Sequence, residues 1–462
     1  MNRERLLDLC RDTNATWDII VIGGGASGLG AGVDAAARGY RVLTLEQSDF
    51  AKATSSRSSK LIHGGVRYLR QGEIPLVLHS LRERGLLTRN APHLVRPLTF
   101  VVPNYEWWEG AYYGVGLWLY DRLAGRLGLA PSRRLSKQET LRLAPTLEPA
   151  GLRGGVRYQD AQFDDARLAI TLAQTMTDLG GAALNYVKVT GLLKENGRAR
   201  GVFARDLESG AEFELKARVV VNATGVFADD VRRLDDPGAE TMLTPSQGAH
   251  IVLDRSFLPG DCAIMAPKTS DGRVLFIIPW HEHLIVGTTD TPAATTPLEP
   301  RPLEDEIEFL LVHAARYLTR DPTRFDILSA WAGLRPLVKA GAARRTAKLS
   351  RDHTILVSTS GLVTVAGGKW TTYRQMAEET IDRAAETASL PPRPSATRDL
   401  RLHGWLTPEE SQAALHVYGA DSTAVAALSA DHPAWDQPLD PRLPIRGREV
   451  VWAARHELAR TV

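Results

Sequence analysis

The sequence predicts an α/β chain in which a Rossmann-like dinucleotide-binding unit is joined to an antiparallel-sheet unit and followed by a short helical C-terminal region. Three observations carry that prediction. A glycine cluster with the spacing GxGxxG, Gly23 to Gly28, directly follows an apolar β-branched run. Strand-like runs, HIVLD, RVLFIIPW and HLIVGTT, crowd residues 240–340 around one helical pattern at 303–319. From residue 404 onward, short helical patterns are broken by DHPAWDQPLDPRLP.

Asp18 to Ile22 reads as a buried strand. Gly23 permits a tight strand-to-helix turn, and Gly25 lets the backbone approach a pyrophosphate. Gly28 lets the following helix pack close to the sheet, while the helix N-terminus offers amide hydrogens to the anion. Arg41 to Leu45 makes a second strand, and Glu46 stands at its end, placed to accept bonds from a ribose hydroxyl. A hydroxyl-rich loop follows, Thr54, Ser55, Ser56, Arg57, Ser58, Ser59 and Lys60, leading into His63-Gly64-Gly65. It suits a large cofactor with its own pyrophosphate, such as FAD, and taken alone reads equally as a solvated Ser/Thr loop.

Residues 76–87 have helical spacing and 92–102 are extended. Trp107, Trp108, Tyr112, Tyr113, Trp118 and Tyr120 then concentrate within 105–129, with Arg122 and Arg126 close by. Such a stretch suits either a helix packed by its aromatics or contact with a lipid–water interface. A helix is expected over 133–150, a strand at 156–158 and a helix at 165–179. Strands at 184–193 and 199–206 flank Glu195-Asn196-Gly197, and a buried strand at 218–222 ends in Ala223-Thr224-Gly225. Residues 354–357 and 362–365 return to the first unit, and a helix starting near Thr371 would aim its N-terminus at the cofactor. PPRPSATRD reads as a linker, and GREVVWAARHELARTV as a helix with no cap or stop signal at Val462.

At 462 residues the chain is long enough for two or three domains, and 44% hydrophobic with 24% charged residues is ordinary for a soluble globular protein. A net charge of +2 makes no case for nucleic acid, so any basic site must be local. Two cysteines, Cys10 and Cys262, argue against a disulfide framework, a zinc site or an iron–sulfur cluster, and no metal is expected. The first 16 residues are charged and unlike a signal peptide, and no stretch approaches 18 apolar residues. A cytosolic or membrane-surface location is expected.

Nine pieces stand in a recognisable order: IGGGASGLGAGVDAAARG (22–39), TSSRSSKLIHGGVRYL (54–69), VNATG (221–225), GAHIV (248–252), IIPW (277–280), VGTTD (286–290), GLRPL (333–337), SRDHT (350–354) and GGKWTTYRQMA (367–377). On these motifs the chain resembles the FAD-dependent, quinone-linked glycerol-3-phosphate dehydrogenases over roughly residues 17–390. Two positions depart from the pattern: Leu29 stands where a small residue is usual, and Gly32 where alanine is.

The resemblance implies a glutathione-reductase/D-amino-acid-oxidase type fold. An FAD-binding domain would take 1–92, about 155–235 and 340–390; a substrate domain about 93–154 and 236–339; a helical, apparently shortened C-terminal domain 396–462. It implies oxidation of sn-glycerol 3-phosphate to dihydroxyacetone phosphate by hydride transfer from C2 to FAD. Electrons would pass to membrane quinone from a protein peripheral on the inner face of the cytoplasmic membrane. A homodimer is left open. Dioxygen as acceptor, a related hydroxy-acid or amino-acid substrate, and a flavin-binding module without turnover are the alternatives.

By the same resemblance, Arg67, Tyr68, Arg335, Arg351 and Lys369 bind substrate, and the candidate catalytic set is His250, Arg335 and Lys369. His250 is the first choice of general base, since a neutral imidazole can take the alcohol proton. It reads also as a substrate hydrogen-bonding group or a core histidine. Arg335 or Lys369 could stabilise the developing alkoxide. Cofactor contacts would come from Gly23, Gly25, Ala26, Ser27, Gly28, Glu46, Gln47, Thr54, Ser55, Ser56, Ser58, Ser59, Lys60, Leu61, His63, Val189, Ala223, Thr224, Gly225, Gly367, Gly368, Lys369, Trp370 and Thr371.

Overall fold

The computed structural model describes residues 1–66, 68, 72–339, 353–407, 409–410, 415–441 and 443–461. Arg67 and Arg351, both expected at the substrate, lie outside the described residues. Two sheets organise the chain. In the first, Thr16–Ile22 sits between Glu212–Asn222 and Val42–Leu45, parallel to both. Val363–Gly367 adds in parallel beyond Glu212–Asn222, and Ala182–Leu184 beyond Val42–Leu45. His353–Val357 closes one edge antiparallel to Val363–Gly367.

The central strand is apolar because both its faces are covered. Ile19, Ile20 and Val21 have no solvent exposure, and the helices Ala26–Ala37, Asp165–Asp178 and Tyr373–Thr387 pack together over the sheet. Within Ala26–Ala37, a side chain at Gly32 would meet Met176 Sδ at 2.5 Å and Thr44 Oγ1 at 2.8 Å. This explains the departure from alanine: Met176 takes the space a methyl would need. Leu29, the other departure, is fully buried in the same core.

Val187–Glu195 and Arg198–Asp206 form an antiparallel extension on the first half of Glu212–Asn222. Asn196, at φ +50°, and Gly197, at φ +75°, make the expected turn between them.

The second sheet runs, strand by strand, through Thr291–Pro292, Ser246–Asp254, His283–Gly287, Leu275–Trp280, Ala263–Ala266, Val95–Asn104, Gly154–Phe163 and Leu61–Ile62. Ser329–Arg335 also pairs with Ser246–Asp254. Among the described residues its pairings are antiparallel except where Ala263–Ala266 runs parallel to Val95–Asn104. Side-chain alternation divides its two faces: Val101 and Ile264 join the core under the helix Glu304–Ala315, whereas Phe100, Val102 and Met265 face the other way. The helices Ile74–Asn90 and Glu109–Ala124 cover part of that other face, through Val77, Leu81, Leu117 and Tyr120.

Two segments differ from their sequence reading. Residues 133–150 begin as a strand, Arg133–Ser136, before the helix Lys137–Leu143. Ser136 and Glu139 form a capping box that starts the helix there. The proline-rich stretch after Leu390 is fastened: Tyr40 Oη donates to Pro391 O at 2.6 Å, Arg393 Nη1 to Arg38 O at 2.9 Å, and Thr397 Oγ1 to the buried Asp34 at 3.2 Å. Burial of the Asp34 carboxyl demands donors, and this strap supplies them. The last helix, Gly447–His456, is held by Glu457, which receives Arg167 through both carboxylate oxygens and Trp452 Nε1 at 3.0 Å.

Candidate active site

The glycine turn is built as its spacing demands. Gly23 lies at φ +111°, and a β-carbon there would stand 2.6 Å from Ala223 O. A β-carbon on Gly28 would meet Gly23 O at 1.8 Å, so Gly28 packs the helix onto the turn and does not line the cavity. The helix Ala26–Ala37 has Gly25 as its cap, a residue with no side chain to bond the first amides, and Gly25, Ala26 and Ser27 line a cavity of about 700 Å³ between the two sheets. Ala26 N donates to Ser55 Oγ at 3.0 Å. Glu46 accepts from Gly24 N at 2.7 Å and Ser48 N at 2.8 Å. Burial pushes its carboxyl up, and these amides oppose the shift.

The hydroxyl-rich loop fastens this turn to the second sheet. Thr54 Oγ1 donates to Leu334 O at 2.8 Å, and Ser59 Oγ lies 2.7 Å from His250 Nε2. Trp370 Nε1 donates to Ser55 O at 2.8 Å, and Thr371 Oγ1 pairs with the His63 backbone at 3.3 Å. Thr54, Ser55, Ser58, Ser59, Leu61 and His63 all line the cavity; Ser56 and Lys60 do not. Lys60 is turned to the buried Asp165, and its ammonium also donates to Ser56 O at 2.9 Å. Ser58 Oγ donates to the same carboxylate at 2.6 Å. Asp165 is 105 residues from Lys60, so nothing local in the loop signals this pairing.

Gln47, Val189, Ala223, Thr224, Gly225, Gly367, Gly368, Lys369, Trp370 and Thr371 line the same cavity, as do His250, Arg335 and Tyr68. The His250 ring stacks on Trp331 with centroids 5.0 Å apart and planes 13° from parallel. Its Nδ1 is buried with no hydrogen-bond partner among the described residues. A β-carbon on Gly287 would strike its Cδ2 at 2.1 Å, so that glycine makes room for the ring. Burial foremost, then Arg335 and Lys60, pushes the imidazole down to about 3, which keeps it neutral.

Arg335 Nη2 donates to Thr289 O at 3.0 Å and Thr288 Oγ1 at 3.1 Å, and Nη1 stands 3.5 Å from Asp290 Oδ1. The Lys369 ammonium lies 4.7 Å from the centre of the Tyr68 ring. A neutral proton acceptor and two cations thus share one cavity with a dinucleotide turn.

The sequence reading passed over the cavity's other lining. Phe100, Tyr158, Met265 and Phe276 bring an apolar wall from the second sheet, and Asp160 adds charge. Alternation along Val95–Asn104 and Gly154–Phe163 could have indicated inward-facing residues, but not which face carries the cavity. Trp331, which orders His250, comes from a strand 81 positions away and left no local signal.

Comparison with known proteins agrees with this geometry. The family described as FAD dependent oxidoreductase matches residues 18–374, and the chain belongs to it. Its cofactor is therefore FAD, and the residues fit: a helix N-terminus capped by glycine and a terminal carboxylate at one end of the cavity, apolar walls beyond.

Within that family the chain is 43% identical, over 93% of its length, to the mitochondrial glycerol-3-phosphate dehydrogenase of Macaca fascicularis, and spans 61% of that protein. It is 40% identical to the mitochondrial glycerol-3-phosphate dehydrogenase of Arabidopsis thaliana, over 95% of this chain and 77% of that one. Its fold is similar to that of the Bacillus halodurans glycerol-3-phosphate dehydrogenase solved with FAD, at a TM-score of 0.80, with 28% identity over 99% of this chain and 87% of the other. The resemblance read from the nine motifs holds.

Proposed function

We propose that the chain oxidises sn-glycerol 3-phosphate to dihydroxyacetone phosphate and passes the electrons to a membrane quinone. The observation that supports this reading is the meeting of Arg335, Lys369 and neutral His250 in the cavity that holds the dinucleotide turn. FAD, when bound, supplies the two-electron acceptor for the hydride on C2. The chain's own residues position and polarise the substrate. Arg335 and Lys369 answer a phosphate dianion, Arg335 as a planar fork and Lys369 as a point charge. His250 takes the C2 hydroxyl proton. In isolation its imidazole is a weak base, because burial and two cations oppose protonation. A dianion beside Arg335 offsets those cations and raises the imidazole toward the range useful for catalysis. Arg67 and Arg351 complete the anion site in this proposal, as the motifs around them suggest.

The quinone reading places the protein on the inner face of the cytoplasmic membrane. No described helix is long and apolar enough to cross a bilayer. The aromatic stretch supports surface contact: Trp107 is 80% exposed, Trp118 55% and Tyr112 47%, and the Arg122 guanidinium stacks 5.2 Å from the Trp118 ring.

The test is anaerobic. Glycerol 3-phosphate added to FAD-loaded protein should bleach the long-wavelength flavin band, and a short-chain quinone should restore it. Absence of bleaching would remove the substrate. Restoration by dioxygen with stoichiometric peroxide, and not by quinone, would make the protein an oxidase.

A further inference from the structure

The aromatic stretch has an inward face that the proposed chemistry does not use. Tyr120, fully buried on the helix Glu109–Ala124, meets Asp160 of Gly154–Phe163 and Arg84 of Ile74–Asn90. Arg84 Nη1 donates to Asp160 Oδ1 at 2.6 Å, and Tyr120 Oη donates to the same carboxylate at 2.9 Å. The tyrosine oxygen in turn accepts the amide of Gly64 at 2.7 Å. Three segments distant in sequence thus end on one backbone N–H, in the middle of His63-Gly64-Gly65 at the cavity wall. There is no slack at that point: a β-carbon on Gly64 would meet Leu81 Cδ2 at 2.5 Å and Tyr120 Oη at 2.6 Å.

What hangs from Gly64 is the substrate end. Gly65, at φ +80°, lies so close to Tyr68 that a β-carbon would touch the ring at 2.3 Å, and Tyr68 N donates to Gly65 O at 2.8 Å. The Tyr68 ring carries the Lys369 ammonium. A buried ion pair adds little net stability over apolar packing of the same volume, so stability alone is a weak reason for this one. Arg84 also neutralises a carboxylate that lines a cavity meant for an anion.

We propose that Tyr120, backed by the Arg84–Asp160 pair, is a positioning residue: it holds the His63–Gly65 turn by its central amide so that Tyr68 and Lys369 meet the substrate phosphate. This rests on the reading of that end of the cavity given under Proposed function.

The test is Tyr120→Phe, which removes one hydroxyl, in FAD-loaded protein. Hydrogen–deuterium exchange of the peptide covering residues 61–68 should quicken by about tenfold, as for loss of a buried hydrogen bond. The apparent Kd of glycerol 3-phosphate, from the concentration dependence of anaerobic bleaching, should rise by about tenfold while the saturating rate stays within about twofold. FAD content should be unchanged. Asp160→Asn, of the same shape, should move both quantities in the same direction.

Unchanged exchange would overturn the proposal, and so would faster exchange with an unchanged Kd, which would mark a merely structural role. If the wild type is not reduced by glycerol 3-phosphate, the substrate reading fails instead, and exchange alone decides whether Tyr120 holds the turn.

Discussion

The His250 imidazole lies under Trp331 and against Ser59, and burial foremost, then Arg335 and Lys60, depresses it. Replacing it removes the proposed proton acceptor without touching the glycine turn. His250→Ala should slow anaerobic flavin reduction by about 100-fold or more, the usual scale of general-base loss, while FAD stays bound. A variant reduced at the wild-type rate would exclude the base role.

The residues most legible in the sequence were those whose function is settled within a few positions. Gly23 and Gly28 declared themselves because a left-handed turn and a contact with the Gly23 carbonyl each forbid a β-carbon locally, and Gly25 because it completes their spacing. Lys60 did not, since its partner Asp165 arrives from a helix far along the chain. Gly32 looked like a departure until Met176 was in place beside it.

At the level of elements, the pairing of Arg374 with Glu83 ties the helix Tyr373–Thr387 to the helix Ile74–Asn90. Arg374 Nε and Nη2 each donate to a Glu83 carboxylate oxygen at 2.8 Å, and both residues are buried. Burial works against the guanidinium's charge, and the bonds to Glu83 and Glu378 together more than offset it. Glu83→Ala would strand that charge and should cost about 3–5 kcal/mol in denaturant unfolding. A loss below about 1 kcal/mol would show that Glu378, which also receives Arg374, suffices alone.

Helices and strands were legible where periodicity was strong, as in Asp165–Asp178 and the pair around Asn196-Gly197. The strand Arg133–Ser136 was not, because its existence depends on its partner Gly154–Phe163. The strap 391–397 looked like linker by composition, and only the donor demand of buried Asp34 reveals its fastening.

For the whole molecule, buried neutral histidines set an acid limit. His93 is 1% exposed, and burial foremost, then Arg167, His403 and His416, lowers it to about 4 from 6.5. The unfolded chain therefore binds this proton first as pH falls. The contribution is fully present above about pH 6.5 and is lost as pH drops through about 4, a span worth about 3 kcal/mol. Stability should fall between about pH 6.5 and 4.5, and His93→Gln should flatten that slope whatever it does to the absolute value. An unchanged slope would assign acid sensitivity elsewhere.

The two-sheet plan was readable from the distribution of strand-like runs; the cavity between the sheets was not, because it is lined by residues from 22 to 376.

That span has a consequence for how the protein is made. The strand before the glycine turn ends at Ile22, but Val363–Gly367 and the Lys369–Thr371 stretch that close the same site come some 340 residues later. A ribosome adding about 5–20 residues per second leaves the half-built sheet waiting for roughly 20–70 s. Once Glu212–Asn222 is made, the edge it holds for Val363–Gly367 stays open to wrong partners for some 140 further residues, and throughout the interval the wall formed by residues 367–371 does not yet exist. Cofactor capture is therefore a late event, and chaperone demand during synthesis should track the time taken to reach Thr371 more closely than it tracks the stability of the finished protein.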